Sequence, residues 1–329
     1  MNTKKPILIV AGEPFSIFSE ILFKSFIKYK IKRPIVILAS IKLFKSQMDY
    51  LKYNIPFNII DKNFDISELK INKINIINVD FIFSKPFKRI SKTSNLYIKK
   101  SFELALNLLK KKKFLGLING PISKKHFLKR NFLGITEYLA EKTNTKNFAM
   151  LIYNKKLSVS PITTHLPVKN IGKYISQKKI VKHSQLIKKF YKKNLNKNPK
   201  IAITGLNPHC ESIDGKNSEE NKIIIPAIKM IKNNISNISG PYPADSLFMR
   251  DNIKKFDAVI GMYHDQVLTP IKSIYNFDAI NITLGLPFMR ISPDHGTNGQ
   301  MAGKNKSNPQ SLISAIKFLD KNWLESKKA

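Results

Sequence analysis

Three histidines stand in short polar tips, each directly after an apolar run: Thr163-Thr164-His165, Asn207-Pro208-His209 and Tyr263-His264-Asp265-Gln266. Runs of this kind read as buried strands, and ligand sites in open α/β sheets form beyond strand carboxyl ends. Three imidazoles gathered there would hold a divalent ion and leave coordination positions open for chemistry. Asp245 and Asp265 are placed to orient those rings or to add an oxygen ligand. Spacing this long is weak evidence by itself, and separate surface or hydrogen-bonded core histidines are the plainer reading of it. His126 and His183, each inside a lysine-rich helical pattern, read as surface residues.

A second set lies downstream. Lys272, Asn281 and Arg290 flank the strand-and-turn segment Asn281-Ile282-Thr283-Leu284-Gly285-Leu286-Pro287. One guanidinium, one ammonium and one amide suit a phosphate or carboxylate through charge-assisted hydrogen bonds; the plainer alternative for Arg290 is a lone surface cation. Next comes a glycine-containing stretch, Asp294-His295-Gly296-Thr297 through Ala302-Gly303-Lys304 to Ser307-Asn308-Pro309. It either wraps a nucleotide with His295, Gly296, Thr297 and Asn308, or it is simply a turn. No G-x-G-x-x-G follows any strand, and no P-loop is present, so an ordinary Rossmann dinucleotide site is unsupported.

The elements that must position these residues alternate. Ile7–Gly12, Pro34–Ala39, Phe57–Asp61, Ile74–Val79, Phe114–Asn119, Ile201–Leu206, Asp257–Met262 and Ala279–Thr283 read as strands. Helical periodicity occupies about 16–30, 41–52, 93–113, 179–195, 218–232 and 309–322, with Glu219 and Glu220 favourably placed in the first turn of their helix. Phe148–Asn154 and Leu157–Thr164, separated by two lysines, read as a hairpin. Alternation of this kind predicts α/β architecture with largely parallel sheets.

Composition narrows the class. The chain has 329 residues, 43% of them hydrophobic, enough for about two domains. It has no apolar run long enough to span a bilayer and no signal-peptide pattern at its start. Its single cysteine, Cys210, reads as a small buried hydrophobe and suits a reducing, cytoplasmic setting. The net charge of +35 comes from 57 basic and 22 acidic residues, a balance that can mark a nucleic-acid or membrane binder. Only five of the basic residues are Arg, at positions 33, 89, 130, 250 and 290, and the lysines are scattered. Base readout and phosphate forks favour Arg, so we read the excess as solvated surface. It predicts no specific nucleic acid and no membrane, only a general attraction for anionic substrates.

Taken in order, the motifs are Asn119-Gly120-Pro121-Ile122-Ser123-Lys124, Thr136-Glu137-Tyr138-Leu139-Ala140, Thr163-Thr164-His165, Gly205-Leu206-Asn207-Pro208-His209, Gly240-Pro241-Tyr242-Pro243-Ala244-Asp245, Met262-Tyr263-His264-Asp265-Gln266 and Asn281 through Arg290. The series resembles that of the 4-hydroxythreonine-4-phosphate dehydrogenases, from about Gly12 to the last helix. The resemblance implies an isocitrate/isopropylmalate dehydrogenase-like fold, two α/β domains around a central cleft, in a cytoplasmic homodimer. We expect residues 1–130 with 285–329 to form the first domain, on the nucleotide side, and 131–284 the second, with the metal ligands and dimer interface. His165, His209 and His264 match the metal ligands, at a site shared between dimer partners; zinc is the most natural ion for three nitrogens, with Mg, Mn or Co as alternatives.

Thr136, Lys272, Asn281 and Arg290 match substrate-binding positions. Lys272 is also a candidate catalytic group, with Asp245 and Asp265 for proton transfer, and the 294–309 loop is similar to a nucleotide-binding loop for NAD or NADP. The implied reaction oxidises 4-phosphohydroxy-L-threonine at C3 and decarboxylates the product to 3-amino-2-oxopropyl phosphate, in pyridoxal 5'-phosphate biosynthesis.

Two departures stand out. The family pattern has a His immediately before the Thr-Glu pair, where this chain has Ile135. The family's Gly-Asp-Pro-Ala-Gly-Ile-Gly-Pro-Glu-like turn is here Gly12-Glu13-Pro14-Phe15-Ser16-Ile17-Phe18-Ser19-Glu20. The first keeps alive a sister activity on threonate or erythronate 4-phosphate. A basic nucleic-acid-binding protein without catalysis is the remaining alternative, disfavoured by the intact histidine set.

Overall fold

Four apolar residues in a row, Ile7–Val10, form the first strand, β1, and every one is buried, as a strand covered on both faces requires. Burying Ile7, Leu8 and Ile9 completely contributes about 1.5–3 kcal/mol each. The computed structural model describes residues 4–128, 132, 134–210, 215–233, 235–275 and 279–321. After β1 come α1 (Phe18–Lys28), β2 (Ile35–Ala39), α2 (Ile41–Tyr50), β3 (Phe57–Ile59), β4 (Ile74–Asn78), α3 (Asn95–Lys110), β5 (Gly116–Asn119) and α4 (Ile135–Lys142). The middle of the chain holds β6 (Ala149–Tyr153), β7 (Ser158–Thr163), α5 (Ile171–Tyr174), α6 (Gln177–Leu195), β8 (Ile201–Thr204), α7 (Ile225–Lys232) and β9 (Ile238–Tyr242). It continues with α8 (Ala244–Leu247), α9 (Arg250–Ile253), β10 (Ala258–Tyr263), α10 (His264–Tyr275) and β11 (Ile280–Leu284); β12 (Met289–Pro293) and α11 (Gln310–Asp320) close it.

The described residues divide into two compact units, 4–142 with 287–321 and 143–286. The sequence places the first division at 130/131, outside the described residues, and the second at 284/285. The helix α4, with Thr136, lies in the first unit rather than the second.

In the first unit six strands run in the order β3-β4-β2-β1-β5-β12, every neighbouring pair parallel. The order turns back at β1, whose two neighbours are β2 and β5, a topological switch point. Ser40 caps α2 by accepting from the Leu43 amide. Behind the sheet, the buried pair Arg33–Asp320 (3.4 Å) ties α11 to the segment entering β2.

In the second unit the order is β11-β6-β7-β10-β8-β9. β11–β6 and β6–β7 are antiparallel, the latter being the expected hairpin. β7, β10, β8 and β9 are parallel in that sequence. The helix α6 buries Ile180, His183, Ser184, Ile187, Phe190, Tyr191 and Asn194, a stripe at three- and four-residue spacing. Its end is set by Asn196 in the left-handed conformation.

Three expectations are corrected. His183 is buried, 8% exposed, and not a surface residue: it falls on the apolar stripe of α6, which the many lysines around it obscure in the sequence. The helix expected over 218–232 begins instead as a wider turn, Glu220–Ile224, and becomes regular at Ile225, because Pro226 has no N–H for the preceding turn. β9 and β12 were not anticipated, both being short and interrupted by Gly, Pro or Arg. The expected end of the last helix, Asn322, lies outside the described residues.

Candidate active site

Three adjacent parallel strands of the second unit each release a histidine at their carboxyl end. β7 ends at Thr163, two residues before His165; β10 ends at Tyr263, directly before His264; β8 ends at Thr204 and leads through Gly205–Pro208 to His209. His165 and His209 are exposed and His264 is half-buried. The rings of His165 and His264 lie 6.1 Å apart, centre to centre. Nδ1 of His264 is 2.6 Å from Asp265 Oδ1, an arrangement that fixes the ring and leaves Nε2 for a ligand. Among the described residues, no three His, Cys, Asp or Glu side chains of one chain converge closely enough to hold a metal ion. Asp245, just beyond β9, is exposed and accepts from the Ser246 amide at 2.7 Å.

Beneath the histidines the strand ends are stitched together. Thr163 Oγ1 donates to Met262 O (2.8 Å), joining β7 to β10. Gln266 Oε1 accepts from Met262 N (2.7 Å) and Thr204 Oγ1 (2.9 Å), while its Nε2 donates to Gly205 O (2.7 Å). One amide side chain thus ties β10 to the loop carrying His209. That loop is also held from the far side by Glu220, 1% exposed. Its Oε1 accepts from the amides of Leu206 (2.8 Å) and Asn207 (2.9 Å), and its Oε2 from Asn207 Nδ2 (2.9 Å). Burial pushes the Glu220 carboxyl up, but the Asn207 and Leu206 hydrogen bonds prevail and leave it below its ordinary value.

His209 and Cys210 follow in left-handed backbone conformations, φ 57° and 59°, at a cost of roughly 1–2 kcal/mol per non-glycine residue. A Cβ on Gly205 would stand 2.7 Å from Cys210 Sγ and 3.1 Å from Glu220 Oε1. The loop therefore closes directly onto the carboxylate. Cys210 is half-buried, not the fully buried hydrophobe expected of it.

The first unit holds a different array. Arg290 of β12, 1% exposed, donates through Nε to Asn119 Oδ1 at 2.7 Å and through Nη1 to Thr136 Oγ1 at 3.3 Å. Asn119 ends β5, which pairs with β12, and Thr136 opens α4. Arg290 is therefore not the lone surface cation of the plainer reading. Burial brings it down to about 10, partly offset by Glu137, so it stays charged at neutral pH. Ile135 is half-buried beside Thr136. Lys272, exposed on α10, and Asn281, on β11, belong to the second unit; Asn281 Oδ1 is buried with no hydrogen-bond partner among the described residues.

The 294–309 loop is clipped to α1. The Ile17 amide donates to Thr297 O (3.2 Å), and the Ser307 amide to Glu20 Oε1 (2.5 Å). Lys24 Nζ donates to Glu20 Oε1 (2.8 Å) and to the carbonyls of Asn305 and Ser307, each at 2.9 Å. Gly296 is exposed and Thr297 half-buried. His295 Nε2 is buried without a hydrogen-bond partner among the described residues, and burial lowers its basicity against the pull of Gly296 O and Asp294. Asn308 Oδ1 accepts from the Gln310 amide at 2.9 Å, a local turn just ahead of α11. At the altered turn, Gly12 takes φ 78°, and a Cβ there would lie 2.4 Å from Pro121 O. Phe15 and Phe18 fill the positions after it, both buried.

Asn119, Glu220 and Gln266 are not among the site residues the sequence points to. Asn119 signals itself only by ending a strand before Gly-Pro, and Gln266 by its place in the His264-Asp265-Gln266 tip. Glu220 reads there as a helix-dipole residue; the fold turns its side chain to the loop instead.

Residues 30–319 match the PdxA family, described as pyridoxal phosphate biosynthetic protein PdxA. The chain is 38% identical over 315 residues to the 4-hydroxythreonine-4-phosphate dehydrogenase of Sulfurihydrogenibium sp. (strain YO3AOP1), covering 94% of this chain and 96% of that one. A relative in Oceanobacillus iheyensis, 33% identical over 95% of this chain and 97% of its own, carries the provisional name D-threonate 4-phosphate dehydrogenase. Among solved structures, the 4-hydroxythreonine-4-phosphate dehydrogenase of Klebsiella pneumoniae superposes with a TM-score of 0.82 at 26% identity, covering 96% of this chain and 98% of that one.

Proposed function

The chain belongs to the PdxA family, and from that premise we propose that it is a cytoplasmic 4-hydroxythreonine-4-phosphate dehydrogenase acting in pyridoxal 5'-phosphate biosynthesis. The observation that carries the reading is the release of His165, His264 and His209 from three adjacent parallel strands. A ligand set spread over neighbouring strand ends is rigid at its base and open at its face, as a catalytic site must be.

The reaction is oxidation of the C3 hydroxyl of 4-phosphohydroxy-L-threonine by NAD or NADP, followed by loss of the carboxylate as CO2 to give 3-amino-2-oxopropyl phosphate. The three histidines would hold a divalent ion, zinc by preference for nitrogen donors, which when bound lowers the pKa of the hydroxyl and stabilises developing enolate charge. His165 and His264 face each other within one chain at 6.1 Å. The family resemblance carries the remaining part of the reading, a homodimer in which the metal site is shared between partners.

The other roles follow from side-chain chemistry. Arg290, oriented by Asn119 and Thr136, would anchor an anionic group of the substrate, with Lys272 as a second cation. Asn281 has a buried amide oxygen suited to a substrate donor. Asp265 orients His264, and Asp245 and Lys272 are candidates for proton transfer. The nucleotide would lie along the loop with His295, Gly296 and Thr297, while Asn308 forms the turn ahead of the helix that follows. Glu20 and Lys24 tie that loop to α1.

Ile135 favours a second reading. An apolar side chain beside Thr136 and Arg290 removes a donor the family pattern has there, and suits a sister substrate such as threonate or erythronate 4-phosphate. The test is NAD(P)H formation by the purified protein with each substrate and zinc, with and without chelator. Chelator-sensitive turnover of 4-phosphohydroxy-L-threonine supports the first reading. Turnover of only a sister substrate replaces it with the second, and no turnover with any of them overturns both.

A further inference from the structure

We propose that Glu220 is a positioning residue for His209, holding the loop between Gly205 and Cys210 in the one conformation that presents this imidazole to a metal ion. The inference rests on the proposed metal-dependent reading. Its observations are independent of that reading.

His209 and Cys210 adopt consecutive left-handed conformations that L residues avoid, and such strain persists only where the surroundings over-determine it. Here, among the described residues, the Glu220 carboxylate gathers the largest share of the loop's side-chain hydrogen bonds, beside Gln266 on Gly205 O and Glu219 on Asn207. Glu220 comes from a different segment, yet it accepts from both backbone amides that precede the strained pair and from the Asn207 side chain. Glu219 Oε2 adds a fourth bond to Asn207 Nδ2 at 3.0 Å. The turn then closes through the Cys210 amide to Asn207 O (3.1 Å).

Nothing in this network touches the imidazole itself, which is exposed. If Glu220 is removed, the Leu206 and Asn207 amides must find other acceptors. The cheapest way is for the loop to relax out of the left-handed turn, and His209 moves with it. A carboxylate buried to this extent in place of an apolar residue has no packing advantage of its own. Its position is explained by the donors it collects.

The experiment is a titration of the full-length protein with Co2+ alone, read by the visible absorption of histidine-ligated cobalt, for wild type, Glu220→Gln and Glu220→Ala. Removing a group that orients a ligand typically weakens metal affinity 10- to 100-fold. We expect roughly a 10-fold loss for Gln, which keeps one acceptor oxygen, and up to about 100-fold for Ala. At saturating cobalt the spectrum and kcat return toward wild type, because the ligands are unchanged. A merely structural role would not give that recovery. Glu220→Gln is nearly isosteric, so it carries the test if the Ala variant fails to fold. Wild-type affinity in both variants overturns the positioning role and leaves the metal reading intact. A wild type that takes up no cobalt overturns both.

Discussion

In the first unit the polar groups around the strand ends are buried: Glu13, Glu20, Asn119 and Arg290 are each no more than 1% exposed. In the second, His165 and His209 are exposed and His264 is half-buried, while Thr163, Thr204 and Glu220 underneath them are buried. Both units use the same part of a parallel sheet. The first encloses Arg290, its proposed substrate-binding cation. The second fixes backbone ends and lets the side chains stand clear. Enclosure suits a group held in one orientation, whereas open imidazoles on a rigid base suit the metal-binding role proposed for them.

If that contrast is right, substitutions in the two units separate stability from activity differently. The largest effect is expected for Arg290→Ala. It removes the guanidinium that donates to Asn119 Oδ1 and to Thr136 Oγ1 and opens a cavity, at a cost of about 3–5 kcal/mol by analogy with breaking a buried pair. Urea unfolding should show that loss together with a collapse of kcat/KM. His165→Ala, at an exposed position, should stay within about 0.5 kcal/mol of wild type while abolishing metal-dependent turnover. Equal destabilisation by the two would break the comparison.

His183 sharpens it from inside the second unit. It is the same residue type as the three site histidines, but α6 packs it against the sheet, with Ser160 Oγ 3.5 Å from its Nδ1. Burial, and then Lys179 on the same helix, depress it from 6.5 to about 4. The unfolded chain therefore binds a proton between those values that the folded chain does not. Its contribution to stability is fully present above pH 6.5, falls as the pH drops toward 4, and is gone below that. The difference amounts to about 3 kcal/mol. Denaturation midpoints measured from pH 7.5 to 4 should show this slope in wild type, and a shallower one in His183→Gln. An unchanged slope would mean that other groups dominate.

The contrast also explains what was legible in the sequence. The three histidine tips could be found because each follows a run of strand-forming apolar residues and breaks it. The alternation of strands and helices is visible because most of the parallel strands are runs of apolar residues, and β9 and β12, which are not, escape that pattern. What holds the site was not visible. Asn119 and Arg290 are 171 residues apart, and Gln266 meets Gly205 across 61; such pairs are set by strand order, which no local pattern encodes. His183 is hidden in another way: the lysines of α6 are conspicuous in the sequence, but only the packed helix shows which face is inward.

Gln266→Leu tests the base itself. It removes the acceptor of Met262 N and the donor to Gly205 O, so about 1–3 kcal/mol of stability should be lost. Cobalt affinity should fall as well, because both His264 and His209 stand on the strand ends this amide joins. Lost stability with wild-type cobalt binding would show that the strand ends keep their places without it.

The smallest effect on stability should come from Asp265→Asn. The carboxylate is 80% exposed and its bond to His264 Nδ1 is 2.6 Å. An exposed pair of this kind is worth little to folding, so unfolding should shift by less than about 0.5 kcal/mol. Its effect on the imidazole is of another kind. A carboxylate on Nδ1 holds the tautomer that leaves Nε2 unprotonated and makes that nitrogen a better donor to a metal. The amide keeps an acceptor in place but removes the charge. Cobalt affinity should therefore drop up to about 10-fold while the fold is untouched. A variant that loses more than 1 kcal/mol would place this pair among the structural contacts, and the second unit would then resemble the first.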